Sequence, residues 1–415
     1  MDFKRDKAFA EKLDDQDDLS KYRKEFFIPP HKDGESIYLC GNSLGLQPRS
    51  VREAIERELE SWEVNGVEGH FKGTKWVSYH EEIGELMAPI VGGESNEVVV
   101  MNTLTVNLHL LMVSFYRPSP KRYKIVIEGS AFPSDQYAVK SQLQFHGFDP
   151  KDALIELHPR SNEGYIRTED ILATFEQNAD EIALVMLGGV NYYSGQVFEM
   201  DIITKKAHEI GAVVGFDLAH AVGNVPLKLH KWGVDFAVWC TYKYLNSGPG
   251  AIAGAFIHSK HLDKNLIRFA GWWGHDKSRR FLMEPDFIPM RSAEGWQLSN
   301  SPIFSMTPIK ESLKIFNEVG MERLREKSKL LTSYLEFLLN SLESDRIWLS
   351  PPFRIRGSQI SVHVREDGKE LFERITKEGV VCDWREPDVI RVAPVPLYNS
   401  FTDIYNFYRT LKRNL

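Results

Sequence analysis

Residues 215–250 read GFDLAHAVGNVPLKLHKWGVDFAVWCTYKYLNSGPG. Two apolar runs frame this stretch: Ala212–Phe216 leads into Asp217, and Phe236–Cys240 leads into Thr241-Tyr242-Lys243-Tyr244. Each run is short, rich in Val and Phe, and apolar on both alternating faces. A strand reads this way when helices cover both sides of a mostly parallel sheet. Working outward, Glu97–Met101, Tyr123–Ile127, Ile182–Leu187 and Ala251–Ile257 repeat the pattern. Strand and helix alternate from about residue 95 to 260, which predicts an α/β sheet.

Helix signals fall between and beyond these runs. Ser50-Val-Arg-Glu53 opens REAIERELESW as a capping box, in which Ser50 and Glu53 satisfy each other's orphan backbone N–H. Pro133 followed by SDQYAVKSQLQFHG predicts a helix with Pro in its first turn and Gly147 just past its end. After residue 310 the pattern changes. Met321–Leu339 reads as a long charged helix, followed by short strands near Ile360–Val364, Val380–Cys382 and Val389–Val392 and a final helix from about Thr402. The expected organisation is an N-terminal segment over 1–65, a large α/β domain over 66–305 and a smaller α+β domain over 306–415. The N-terminal segment carries Phe9, Leu13, Tyr22 and Phe26 on short amphipathic helices expected to lie on the body.

Composition narrows the class. A chain of 415 residues suits roughly two to three domains. Hydrophobic residues at 42% and charged residues at 26% are those of an ordinary globular protein. A net charge of −7 argues against nucleic-acid binding and against a basic membrane-docking surface. Cys40, Cys240 and Cys382 are widely spaced with no CxxC, so neither a disulfide framework nor a cysteine metal site is expected. The charged N-terminus MDFKRDKAFAEKLDDQDDLSKYRKEFF has no apolar core of a secretory signal. No apolar run approaches the ~18 residues needed to span a bilayer. A cytoplasmic location is the expectation.

In an open α/β sheet, ligands sit outside the carboxyl ends of the strands. The residues following the runs are Thr103-Leu104-Thr105, then Gly129 through Asp135, Gly188-Gly189, Asp217 with His220, and Tyr242-Lys243. This set answers the needs of pyridoxal phosphate. Its aldehyde requires a lysine amine, here Lys243. Its pyridine nitrogen requires a carboxylate, here Asp217. Its phosphate requires the N–H groups and hydroxyl of a helix start, here Leu104 and Thr105, and Phe132 offers a ring cover. Taken singly, each residue has an ordinary reading: Lys243 a solvated charge, Asp217 a turn or cap, Leu104/Thr105 a plain helix opening, Phe132 core, His220 structural. Their joint occurrence at successive strand ends moves the balance.

The chain resembles the kynureninases, pyridoxal-phosphate hydrolases of the aspartate-aminotransferase fold (fold type I). The resemblance runs from about Ile37 to Phe407 and is densest in YLCGNSLGLQP, FPSDQYA, GVNYYSGQ, the 215–250 block, GWWGH and RVAPVPLYNSF. It implies a mostly parallel sheet of the seven-stranded type covered on both faces. It implies Lys243 as the cofactor-binding lysine, Asp217 as partner of the pyridine nitrogen and His220 beside the cofactor. Phe132 and Asp135 then pack and bond around the ring, while Leu104, Thr105 and Tyr242 hold the phosphate, Tyr242 also relaying a proton. Trp272 and Asn300 correspond to residues that reach the neighbouring subunit's cofactor, implying a homodimer. Arg391 resembles the arginine that binds the substrate's α-carboxylate. Ser43, His70 and Asn300 resemble residues around the aryl group, in the pattern of members favouring 3-hydroxykynurenine. On the residues alone, Trp272 and Trp273 read as core or interface aromatics, Arg391 as an ion-pair candidate, and Ser43 and His70 as turn residues.

Two other classes remain open on sequence. A cysteine desulfurase or class V aminotransferase shares the sheet, the Asp and the Lys, but a desulfurase needs a loop cysteine, and Cys382 in VVCDW reads as a strand residue. A non-catalytic α/β binding protein is disfavoured by the intact set of Asp217, Lys243 and Arg391.

Overall fold

In a computed structural model, residues 2–32, 34–129, 131–161 and 163–415 are described. Among them, seven strands form the main sheet: β1 (Val98–Val100), β2 (Lys124–Glu128), β3 (Leu154–Leu157), β4 (Ile182–Gly188), β5 (Val213–Asp217), β6 (Phe236–Cys240) and β7 (Ala253–Ile257). Their spatial order is β1-β7-β6-β5-β4-β2-β3. Only β7 runs against its neighbours β1 and β6; the other pairings are parallel.

The side chains explain why these runs became buried strands. Ile125, Ile127, Phe236 and Val238 enter one apolar cluster with the helix Leu104–Phe115. The alternate residues Val126, Ala237 and Trp239 enter a second cluster on the opposite face. Both faces of the sheet are therefore covered, and each large side chain so buried contributes roughly 1.5–3 kcal/mol. Gly215 is required by this packing. It pairs with Phe236 across β5 and β6, and a Cβ there would lie 2.2 Å from the Phe236 ring.

A second sheet has the order β8-β9-β11-β10, from β8 (Ile347–Ser350), β9 (Ile360–Val364), β10 (Asp383–Arg385) and β11 (Val389–Val392). The helices Met321–Asn340 and Phe401–Asn414 pack on it through Leu331, Leu335, Ile404 and Phe407. The N-terminal helix Lys7–Asp15 joins this cluster through Ala10 and Leu13.

Several expectations are corrected. The helix Val51–Asn65 forms, but Ser50 is itself helical (φ −66°, ψ −17°) instead of extended and makes no side-chain cap. The strand expected at Val380–Cys382 spans only Val380–Val381 and pairs in parallel with Ile37–Tyr38, outside the second sheet. β3 was missed because it is an edge strand, half-exposed along Leu154–Glu156, and so lacks a two-faced apolar pattern. β8 and β10 were missed because they are the edge strands of the second sheet: β8 exposes Trp348, and β10 sets a half-buried Trp384 between Asp383 and Arg385. The helix Pro133–Phe145 and the left-handed Gly147 (φ +82°) fall where the sequence placed them. No helix among the described residues is long and apolar enough to cross a membrane.

Candidate active site

The carboxyl ends of β2, β4, β5 and β6 open onto one cavity of about 570 Å³, open solvent at its mouth included. Strand register aligns its floor. Gly188 of β4 pairs with Asp217 of β5, and Asp217 pairs with Val238 of β6. Beyond β6 the chain turns tightly. Asn246, in the left-handed region, donates its N–H to the Lys243 carbonyl at 3.0 Å, and Ser247 Oγ donates to Thr241 Oγ1 at 2.6 Å. The Gly45 N–H donates to the Tyr242 carbonyl at 2.8 Å. A Cβ on Gly45 would lie 2.3 Å from the Lys243 carbonyl oxygen, so only glycine lets the Gly41–Gly45 turn clamp the lysine loop.

Lys243 Nζ lies 3.0 Å from His220 Nε2 and 5.9 Å from the centre of the Phe132 ring. Burial, with the cations Lys243, Arg391 and Arg385 nearby, drives the His220 pKa far below its usual value. The imidazole is therefore neutral at pH 7.

Three carboxyls share the cavity. Burial raises the Asp217 pKa, opposed by the Ala219 N–H at 2.7 Å and by the Lys243 charge. Burial and the Asp217 charge push Asp135 well above the carboxylate range. As an anion Asp135 would leave Oδ1 without a donor; protonated, it donates to Asp217. Glu128 is also buried, and desolvation pushes it up to about 7 even though it accepts the Gly188 N–H at 2.7 Å and Asn191 Nδ2 at 3.3 Å. Within the Asp135–Asp217 pair the proton rests on Asp135, because Asp217 accepts the Ala219 N–H and faces the Lys243 charge, so Asp217 is the anion opposite Lys243.

The opposite wall is the start of the helix Leu104–Phe115. Thr103 is extended and makes no side-chain cap, so among the described residues the first-turn N–H groups beside Leu104 and Thr105 have no partner. The cavity thus offers an amine, a buried carboxylate, an aromatic wall at Phe132 and an uncapped helix N-terminus, which fits the amine, pyridine, ring and phosphate needs of pyridoxal phosphate. Tyr242 completes the wall, and its hydroxyl contacts the Cys240 thiol.

The structure thus brings together Leu104, Thr105, Phe132, Asp135, Asp217, His220, Tyr242 and Lys243. Arg391 lies behind the lining residue Tyr192, donating from Nη1 to its carbonyl at 2.7 Å. Ser43, His70, Trp272 and Asn300 do not line the cavity of their own chain among the described residues. Ser43 is half-buried in the turn that clamps the lysine loop. His70 sits 5.5 Å from Trp76 in the short helix Gly66–His70. Trp272 is 45% exposed and donates from Nε1 to the Arg280 carbonyl at 3.0 Å, and Asn300 is exposed.

Sequence reasoning missed Glu128, Asn191 and Tyr192 as lining residues. The signal was present. Glu128 directly follows the run Tyr123–Ile127, where a charged residue closing an interior strand must face a ligand or a polar turn. Elsewhere Glu97, His230 and His258 converge. The Glu97 carboxylate is already saturated there by the Ser259 N–H (2.7 Å), the Glu94 N–H (2.9 Å) and His230 Nδ1 (2.9 Å), so it closes a polar network within the protein.

Residues 324–411 match the family model of the kynureninase C-terminal domain. A kynureninase of Myxococcus xanthus is 54% identical over 99% of this chain and 97% of its own length. One of Flavobacterium psychrophilum is 53% identical over 100% and 99%. Among solved structures, an apo cysteine desulfurase of Thermococcus onnurineus superposes with a TM-score of 0.77 over 91% of this chain and 94% of its own, at 16% identity. The cysteine desulfurase CsdA of Escherichia coli gives 0.77 over 96% and 98%, also at 16%. At that identity the structural likeness speaks to the fold.

Proposed function

Because this chain belongs to the kynureninase family, we propose that it hydrolyses the Cβ–Cγ bond of L-kynurenine, of its 3-hydroxy form, or of both. The products are anthranilate or 3-hydroxyanthranilate, and L-alanine. It is a pyridoxal-phosphate-dependent hydrolase acting on a carbon–carbon bond of a ketone. The observation that carries this reading is the meeting of Lys243 and Asp217, from adjoining strand ends, in one buried cavity.

Bound there, pyridoxal phosphate supplies an electron sink for charge developing beside the substrate's amine. Lys243 Nζ supplies the amine that holds the cofactor's aldehyde, then takes and returns a proton at the substrate carbon next to it. Asp217 keeps the pyridine nitrogen protonated, and Asp135 holds Asp217 in place through its own retained proton. Neutral His220, 3.0 Å from Lys243 Nζ, accepts a hydrogen bond from the lysine without competing for its charge. The free N–H groups at Leu104 and Thr105 hold the phosphate with Tyr242, and Phe132 covers the ring. Tyr242 is also the proton relay, and Arg391 grips the α-carboxylate.

The aryl group meets Ser43, His70 and Asn300, which favours 3-hydroxykynurenine by offering polar partners to the extra hydroxyl. Trp272 and Asn300, which do not line their own chain's cavity, reach across from a second copy. Exposed aromatics support this homodimer: Trp62 lies 6.2 Å from Phe304, Phe71 lies 6.0 Å from Phe281, and Phe281 lies 5.5 Å from Trp272. Such clusters of exposed aromatic side chains mark an association surface. The segment 1–65, the large domain 66–305 and the small domain 306–415 then form each subunit. We place it in the cytoplasm, in tryptophan breakdown, where a 3-hydroxyanthranilate product also feeds NAD formation.

A desulfurase reading has no nucleophile. Cys382 is buried, and burial pushes its thiol well above the usual range, away from the thiolate such chemistry needs. The proposal is tested by Lys243→Ala. The purified variant must lose the yellow absorbance of lysine-held cofactor and all release of anthranilate. Persistence of either overturns the assignment.

A further inference from the structure

The Arg391 guanidinium is almost fully buried, at 1% exposure, and it is held by the protein on one edge. Nε donates to Asp383 Oδ1 at 2.6 Å, Nη2 donates to Asp383 Oδ2, and Nη1 donates to the Tyr192 carbonyl at 2.7 Å. A guanidinium has five N–H donors in a rigid plane. After these three bonds, one N–H on each terminal nitrogen has no acceptor among the described residues.

Asp383 is placed for this by the sheet: it stands directly opposite Arg391 in the pairing of β10 with β11. It also accepts from Arg385 Nη2 at 3.2 Å, and Arg385 has no other carboxylate partner among the described residues. Two guanidinium groups therefore share one carboxylate, leaving one positive charge unmatched. That charge adjoins the cavity, because Arg391 donates from Nη1 to the carbonyl of the lining residue Tyr192.

We propose that Asp383 is a positioning residue that locks one edge of Arg391, so that the two remaining N–H groups face the α-carboxylate of an amino-acid substrate. Arg385 supplies the surplus charge that the carboxylate neutralises. The arrangement rests on the reading of Arg391 as the carboxylate-binding residue. The opposite role is equally concrete in chemistry: an Asp383 that competes with substrate for the same donors. Sharing of Asp383 by two arginines favours positioning, since a competitor would leave no unmatched charge to attract a second carboxylate.

The test compares L-kynurenine with kynuramine, the same molecule without the α-carboxylate, as ligands of the holoenzyme. The readout is the ratio of kynuramine Ki to kynurenine KM. A change in fold or cofactor loading moves both constants together and leaves the ratio alone. Asp383→Asn is expected to lower the ratio roughly tenfold, equivalent to one charge-assisted hydrogen bond, with the kynuramine Ki unchanged. Asp383→Glu, which keeps the carboxylate, is expected to recover part of it. An unchanged ratio in Asp383→Asn overturns the proposal, and a raised ratio overturns it by making Asp383 a competitor. Arg391→Lys, which keeps the charge and removes the fork, tests the underlying reading separately. If its ratio equals that of the wild type, the carboxylate is bound elsewhere, whatever Asp383 does.

Discussion

Replacing Glu128 with Gln should stabilise the cofactor-free protein at alkaline pH and leave it unchanged in acid. Glu128 is fully enclosed between the ends of β2 and β4, with the Asp217 charge nearby. Its folded pKa of about 7, against the 4.5 expected for an unperturbed Glu, means that the folded state holds the proton more tightly than the unfolded chain. A carboxyl raised in this way contributes stability that is complete below pH 4.5 and is lost as pH rises through 7. At about 1.4 kcal/mol per unit, the loss amounts to about 3 kcal/mol by pH 8. The amide has the shape of the protonated acid and keeps an oxygen for the Gly188 N–H, so it avoids this cost. Denaturant unfolding of wild type and variant, both stripped of cofactor, should give coincident midpoints at pH 4.5 and a variant more stable by about 3 kcal/mol at pH 8. Curves that stay parallel across this range, or a variant that is weaker at pH 8, would refute the burial argument.

Three further outcomes follow from the same geometry. Asp235→Ala should cost about 3–5 kcal/mol, because it strips a buried carboxylate from His208, His261, Lys260 and the Val214 N–H. Those partners hold the Asp235 pKa well below normal, so the difference from wild type should be full at pH 7 and shrink below about pH 4; a constant difference by calorimetry at both would contradict it. Tyr242→Phe should slow kcat by roughly 10²–10⁴-fold, the usual worth of a positioned proton donor, while cofactor absorbance stays; full turnover would remove the hydroxyl from the chemistry. Arg391→Lys should raise KM with little change in kcat, since a lysine cannot reproduce the guanidinium fork; an unaltered KM in steady-state kinetics would detach Arg391 from the substrate.

Much of the site was legible because it lies where interior parallel strands end. Asp217 and Lys243 each follow a run apolar on both faces, and burial on both faces is what writes such a run into a sequence. Leu104 and Thr105 were legible for a similar reason, since a helix begins there directly after β1. The edge strand β3 left no such mark, because half of its surface meets solvent. Ser50 misled for a local reason: a capping box also fits a residue that is already helical, and only the backbone angles separate the two. Glu128 escaped notice because the run reads as ending at Ile127 and the ligand-facing segment as starting at Gly129, whereas the strand extends through Glu128. The role of Asp383 was beyond sequence, since it depends on cross-strand register with Arg391 eight residues later.

The central claim is carbon–carbon bond hydrolysis by the Lys243 and Asp217 site. Its most direct measurement is product analysis after incubating the holoenzyme separately with L-kynurenine and 3-hydroxy-L-kynurenine. The account predicts L-alanine in equal amount with anthranilate or 3-hydroxyanthranilate, and a higher kcat/KM for the hydroxylated substrate. Absence of both aromatic products, or a keto acid formed in place of alanine, would contradict it.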